Sequence, residues 1–342
     1  MPTVTVVVPV CNEGRSIEST LRTLCTQDFP ATDYEVIVAD GLSTDSTVPT
    51  VRRLQAEFAH LKLVYNPGRF SSAGRNTAVR HARGEYIVVV DGHCQVPGRD
   101  YLSNLVAAFD GSGADSLGRP QPLDAPDPTP FQRAVSVARS SRLGHNPDSD
   151  IFSDQAKFVP PQSTAVAYRR GVFQRIGLFD QKFDACEDVE FNQRVADAGL
   201  TCFFHPSLKV VYHPRGSWAG VFRQLARYGC GRARLAAKTP ASLTPPAVVP
   251  PAWGVWLVLG GLLALSGWAG GWFLTAYLGS VALYLAVIGA GSVVLARGHP
   301  AAVGVRLPAV FVAIHLGFAW GFAREVGRRV FQSRARQEAA AR

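Results

Sequence analysis

Residues 85–93 read EYIVVVDGH, an apolar, β-branched run that stops at Asp91, with His93 two residues on. Such a run is expected of a strand buried on both faces, as in a parallel sheet covered by helices. The pattern recurs upstream at 3–10 (TVTVVVPV), 35–39 (EVIVA) and 61–65 (LKLVY). After the turn Asn12-Glu13-Gly14, the residues Ile17, Leu21, Leu24 and Cys25 fall on one helical face. The second run leads into the polar turn DGLSTDST and a helical pattern through about residue 59, and a short helix is expected near 73–82. Strand–helix alternation with short links predicts a parallel α/β sheet. Ligands on such sheets sit beyond the C-terminal ends of the strands, where Asp40 and Asp91 both fall.

Further along, residues 110–162 are rich in Pro, Gly, Ser and Asp and read as long loops around one helix near 131–142. A helix is expected from about 187, strand-like sequence over 201–212, a basic amphipathic segment at 215–238, and then the linker TPASLTPPAVVPP. Residues 239–296 contain no Asp, Glu, Lys or Arg, and 307–323 form a second uncharged apolar stretch. The first is long enough for two membrane spans of about 20 residues each. Gly270-Gly271 is its natural hinge, which puts the spans near 252–269 and 273–295. The stretch 307–323 is short for spanning and reads as re-entrant or interfacial. A third full span would export Arg324, Arg328, Arg329, Arg334 and Arg336 from a cytosolic N-terminal domain, against the positive-inside tendency.

The charge is lopsided in the same sense. The net +9 divides into 21 Lys/Arg against 24 Asp/Glu over 1–212, and 14 Lys/Arg against 2 Glu over 213–342. Basic clusters beside apolar spans indicate the cytoplasmic face of a membrane and exclude a nucleic-acid-binding globule. The six cysteines form no CxxC pair, so neither a disulfide framework nor a zinc ribbon is expected. MPTVTVVVPVCNEGR lacks a basic n-region and reads as a strand, not a signal peptide. A transporter is disfavoured because the apolar spans carry only His315 as an ionisable group.

Four polar clusters carry candidate chemistry. Asp40, with Asp45 after it, is placed either to bond a nucleobase or ribose or to cap the next helix. Asp91 and His93 offer an oxygen and a nitrogen ligand at one rim, suited to Mn²⁺ or Mg²⁺ on a nucleoside diphosphate, or else form an ordinary polar turn. Arg75-Asn76 supplies a guanidinium able to pair with phosphate. Glu187-Asp188 offers a general base for an acceptor hydroxyl, or merely first-turn dipole partners. Gln224, Arg227 and Tyr228 share one helical face, which would grip a diphosphate or sugar ring, lie on anionic lipid, or do both.

VVVPVCNE, the ADG-S-DST turn, GRN, YIVVVDGH, GLFDQKFDACEDVEFNQRV and QLARY occur together and in this order. The set resembles a family 2 glycosyltransferase of GT-A fold, most similar to membrane-associated succinoglycan-type glucosyltransferases. The resemblance covers about 3–235 and implies a Rossmann-like nucleotide-sugar-binding domain over 1–238. Membrane-embedded helices over 239–323 and a basic cytoplasmic tail over 324–342 follow it. It further implies donor-nucleotide contacts from Pro9, Asn12, Glu13, Asp40, Arg75 and Asp91, with Asp91 and His93 at the two ends of the DxD metal motif. Asp188 matches the catalytic base, Glu187 its support, and Gln224, Arg227 and Tyr228 the QxxRW motif at the diphosphate and acceptor. His93 in place of the second Asp departs from the pattern at the metal, and Tyr228 in place of Trp weakens a processive role. The implied reaction is inverting transfer from a UDP-sugar to a lipid-linked saccharide at the plasma membrane, with the catalytic domain cytoplasmic. The alternatives are a polyprenyl-phosphate transferase, a processive synthase, or a non-catalytic nucleotide-sugar-binding scaffold.

Overall fold

The computed structural model describes residues 1–124, 127–145, 150–268 and 270–340, the side chains of 246 and 334–340 excepted. The chain forms two compact units, Met1–Ala125 with Asp148–His213, and Pro126–Pro147 with Pro214–Arg342. The division thus falls ahead of the basic amphipathic helix, whereas the sequence reading put the boundary at 238.

In the first unit the four apolar runs are strands β1 (Val4–Val10), β2 (Tyr34–Asp40), β3 (Leu61–Tyr65) and β4 (Tyr86–Val89). Short strands follow as β5 (Cys94–Gln95), β6 (Ser116–Gly118), β7 (Lys157–Phe158), β8 (Ala165–Arg169), β9 (Cys202–Phe204) and β10 (Val211–Tyr212). Helices α1 (Ile17–Cys25), α2 (Thr47–Glu57), α3 (Ser71–His81) and α4 (Tyr101–Ser112) alternate with the early strands. After α5 (Pro130–Arg139) in the second unit come α6 (Pro161–Thr164), α7 (Arg170–Ile176) and α8 (Glu187–Asp197).

The main sheet has the order β3-β2-β1-β4-β8-β6-β9-β7. Its first four strands are parallel, as expected. The other half is not. β8 runs antiparallel to both β4 and β6, and β7 antiparallel to β9, so the sheet is mixed. The stretch read as loops contributes β6 and β7, strands of three and two residues whose alternation is too short to detect. Pro206 interrupts the strand-like stretch 201–212, which divides into β9 and β10. β1 packs on both faces: Val6 and Val8 enter one core and Val7 the other, with 0% of each exposed.

The second unit holds α9 (Trp218–Lys238), α10 (Pro245–Val255), α11 (Gly261–Leu265), α12 (Gly271–Ala296), α13 (Ala301–Gly304) and α14 (Leu307–Ala340). Among the described residues three helical stretches are long and apolar enough to cross a membrane: Ala247–Leu265, Gly271–Ala296 and Ala301–Ser333. Two expectations change here. The linker turns helical at Pro245, with Pro250 and Pro251 inside the helix and a π-helical turn at Trp256–Gly260 directly after them. Prolines lack the donor the ladder needs, and such irregular turns accommodate the loss. The element marked at 307–323 is not short, because α14 runs for 34 residues. Its charged end is stabilised by Glu325, 2% exposed, which pairs with Arg234 of α9 at 3.2 Å and with Arg328 and Arg329 at 2.6 and 3.1 Å. Ala269, Ala341 and Arg342, and the side chains of Arg334 and Arg336, lie outside the described residues.

α9 and α14 run parallel in close contact: Trp218 donates to the Ala309 carbonyl at 3.0 Å and Cys230 to the Gly321 carbonyl at 3.1 Å. Gly317 and Gly321 make this approach possible. A Cβ on Gly321 would lie 1.8 Å from the Ala226 carbonyl oxygen, and one on Gly317 2.6 Å from that of Phe222. Small residues four apart are the usual device for close helix contact in membranes. Gly321→Val is therefore expected to lower the melting temperature of the detergent-solubilised protein, by about 1–3 kcal/mol of overpacking. Gly279→Val, with nothing within 4 Å of the added Cβ, should leave it unchanged.

Candidate active site

The site lies at the C-terminal ends of the parallel strands, where two loops are bonded together. Asn12 accepts from the Thr44 amide at 2.8 Å and its own amide donates to Ser43 at 2.8 Å. The Glu13 amide donates to Thr47 at 2.8 Å, and the Gly14 amide to Asp45 at 2.9 Å. Asn12 and Leu42 adopt the left-handed conformation, φ 58° and 62°, which non-glycine residues enter only under local constraint. Asp40, 1% exposed, accepts from the Ser43 amide at 3.1 Å. It therefore closes its own turn and does not cap α2, which begins at Thr47.

Arg75, on α3 and 8% exposed, is the centre of the electrostatics. Its guanidinium lies 3.2 Å from Glu187 and 3.6 Å from Asp91, and 5.4 Å over the ring of Phe179. Burial works against its charge, but Glu187, Asp91 and Asp188 together hold it firmly protonated. The neighbouring Asn76 exchanges two bonds with the Phe179 backbone, at 2.8 and 2.9 Å. That pair ties α3 to the segment leading into α8. Cys186, at φ 60°, then turns the chain so that Glu187 and Asp188 open the helix.

Asp188 lines a small cleft with Arg75, Asp91, Arg119, Gln121 and Tyr168. It also lines an adjoining one with Arg119, Gln121, Gln162 and Asn192. Its carboxyl pKa is raised, first by burial and then by the charge of Glu187, with Arg75 opposing. A carboxylate held above its ordinary range is better suited to taking a proton near neutral pH. The floor is fixed by Tyr168, buried and bonded through its hydroxyl to Asn192 at 2.7 Å.

The structure thus brings Arg75, Asp91, Glu187 and Asp188 together. His93 has its Nδ1 2.9 Å from Glu13 Oε1 and its ring edge-on to Tyr212 at 4.7 Å. Among the described residues no group of three or more His, Cys, Asp or Glu side chains could hold an ion alone. Divalent cations that bridge phosphates need only one or two protein ligands, the substrate and water supplying the rest. Asp91, its side chain 33% exposed, fits such a role. Gln224, Arg227 and Tyr228 lie on α9 of the second unit, with Arg227 and Tyr228 exposed and Gln224 half-buried. Val221, Leu225, Gly229 and Cys230 of the same helix are buried. Sequence reasoning missed Arg119 and Gln121, because β6 before them is too short to show a period.

A family model described as glycosyl transferase family 2 matches residues 5–177. The chain belongs to that family. It is a glycosyltransferase of GT-A fold. Its relatives include the succinoglycan biosynthesis protein ExoA of Rhizobium meliloti, 29% identical over 94% of each chain. The mannosyltransferase PcManGT of Pyrobaculum calidifontis, solved with GDP-Man and Mn²⁺, has the same fold, with a TM-score of 0.57 and 24% identity. That match covers 93% of this chain and 87% of the other. TarS 1–349 of S. aureus, solved with UDP-GlcNAc, matches with a TM-score of 0.52 and 18% identity, over 96% and 92% of the chains.

For this glycosyltransferase, Arg75→Met is expected to leave Asp91, Glu187 and Asp188 repelling one another. Removing one partner of a buried pair costs about 3–5 kcal/mol. Without the guanidinium that opposes it, the folded-state pKa of Asp188, already raised, rises further above its unfolded value. The loss of stability should therefore be full at neutral pH and shrink as pH falls through that raised value, which thermal unfolding at pH 5 and pH 7.5 would show.

Proposed function

We propose that this glycosyltransferase moves a hexosyl group from a UDP-sugar to a lipid-linked saccharide, with inversion, at the cytoplasmic face of the plasma membrane. The product belongs to cell-surface polysaccharide or glycolipid synthesis. The observation that supports this reading best is the position of Asp188, a carboxylate of raised pKa walling the same cleft as Asp91 and Arg75. Asp188 takes the proton of the acceptor hydroxyl, and that oxygen attacks the anomeric carbon. The carbon–oxygen bond to the diphosphate breaks, its electron pair leaves with UDP, and an α-linked donor gives a β-linked product. Glu187 keeps the Asp188 pKa high and Arg75 in place. Asp40, Pro9, Asn12 and Glu13 surround the nucleoside. Gln224, Arg227 and Tyr228 keep the family's role toward diphosphate and acceptor. Asp91 and His93 would hold a divalent metal, Mn²⁺ or Mg²⁺, which when bound neutralises charge on the diphosphate. The exposed Trp268 and Trp272, flanking the turn between the first two apolar helices, suit a membrane–water interface.

Asp188→Asn should reduce transfer by about 10²–10⁴-fold, the usual worth of a general base. It should still be stabilised by UDP, by about 2.7 kcal/mol at a hundred times the dissociation constant. Near wild-type turnover in this variant would remove Asp188 from the mechanism. The acidic limb of the kcat/KM profile should lie above the ordinary carboxylate range. In Glu187→Gln it should move down, since the charge that raises the Asp188 pKa is gone.

A further inference from the structure

Two arginines face the cleft, and their charges are engaged very differently. Arg75 is already paired with Glu187 and Asp91. Arg119, directly after β6, is 4% exposed and forms no ion pair among the described residues. Its Nη1 donates to the Tyr101 hydroxyl at 2.7 Å and its Nη2 to the Val89 carbonyl at 2.9 Å, both neutral acceptors. Its Nε is buried with no hydrogen-bond partner. Burying a cation without a counter-ion is costly, and such a cost is repaid where an anion binds. The tether to Val89 matters as well. That residue ends β4 two positions before Asp91, so the guanidinium is held at the strand end that carries the candidate metal ligand. Arg119 lines both adjoining clefts, and Asp188 is on the wall of each.

We propose that Arg119 is the cation that binds the diphosphate group entering this cleft, a role the sequence assigned to Arg75. Arg75 instead organises the carboxylates. The proposal rests on the reading of the cleft as the site of sugar transfer. A diphosphate can reach it from the nucleotide donor or from a lipid-linked acceptor, and both present the same chemistry to a guanidinium.

The test is calorimetric titration of the full chain in detergent with UDP, uridine and geranyl diphosphate, comparing wild type, Arg119→Gln and Arg119→Lys. Loss of charge-assisted bonds to phosphate should weaken binding in Arg119→Gln about ten- to hundredfold, with uridine affinity unchanged. Arg119→Lys, which keeps the charge and fills the space should the neutral variant not fold, should lose less. A loss for UDP alone assigns Arg119 to the donor, and a loss for geranyl diphosphate alone to the acceptor lipid. Unchanged affinity for both diphosphates, or an equal loss for uridine and UDP, would overturn the proposal. A wild-type protein that binds geranyl diphosphate through Arg119 but neither uridine nor UDP would remove the donor reading and leave this one standing.

Discussion

The first unit is organised around a guanidinium that is nearly buried. Arg75 is 8% exposed, and the desolvation of a buried charge is repaid only by close, well-placed counter-charges. Those come from distant points in the chain: Asp91 after β4 and Glu187 at the start of α8. Satisfying Arg75 therefore draws the end of a parallel strand and the start of a late helix to one place. Asn76 secures the same junction through the Phe179 backbone. The raised pKa of Asp188 is a by-product of this convergence, since burial and the neighbouring Glu187 both disfavour its charge. A cluster needed to keep one arginine buried thereby yields a carboxylate fit to accept a proton.

The parallel half of the sheet was legible because β1, β2 and β4 are buried on both faces, which leaves continuous apolar runs in the sequence. The acids at the ends of β2 and β4 were legible for the same reason, as each interrupts such a run. The antiparallel half was not. β6, β7 and β9 are two or three residues long, and their pairing is set by contacts with β8 and with one another, not by any local pattern. Arg119 and Gln121 were hidden with them. The sequence also placed Arg75 at the right rim yet could not show that its charge is already taken, which depends on residues sixteen and more than a hundred positions away.

In the second unit composition revealed the apolar helices but not their ends. Prolines suggested a linker where α10 forms, because two prolines inside a helix are rare without an irregular turn to absorb them. Arginines suggested that the last element was short, because the burial of Glu325 among them cannot be seen in one dimension. The glycines of α14 have a clearer meaning with α9 beside them. They let a helix bearing the Gln224, Arg227 and Tyr228 face lie directly on a helix long and apolar enough to span a membrane.

A single displacement with Asp188 as base must invert the anomeric carbon, whichever sugar and acceptor are used. The most direct measurement is the anomeric configuration of the first product, read by proton NMR from the coupling at the new linkage. An α-linked donor giving a β-linked product is the expected result. Retention of the donor configuration would contradict direct attack in this cleft and require a different arrangement of the carboxylates around Arg75.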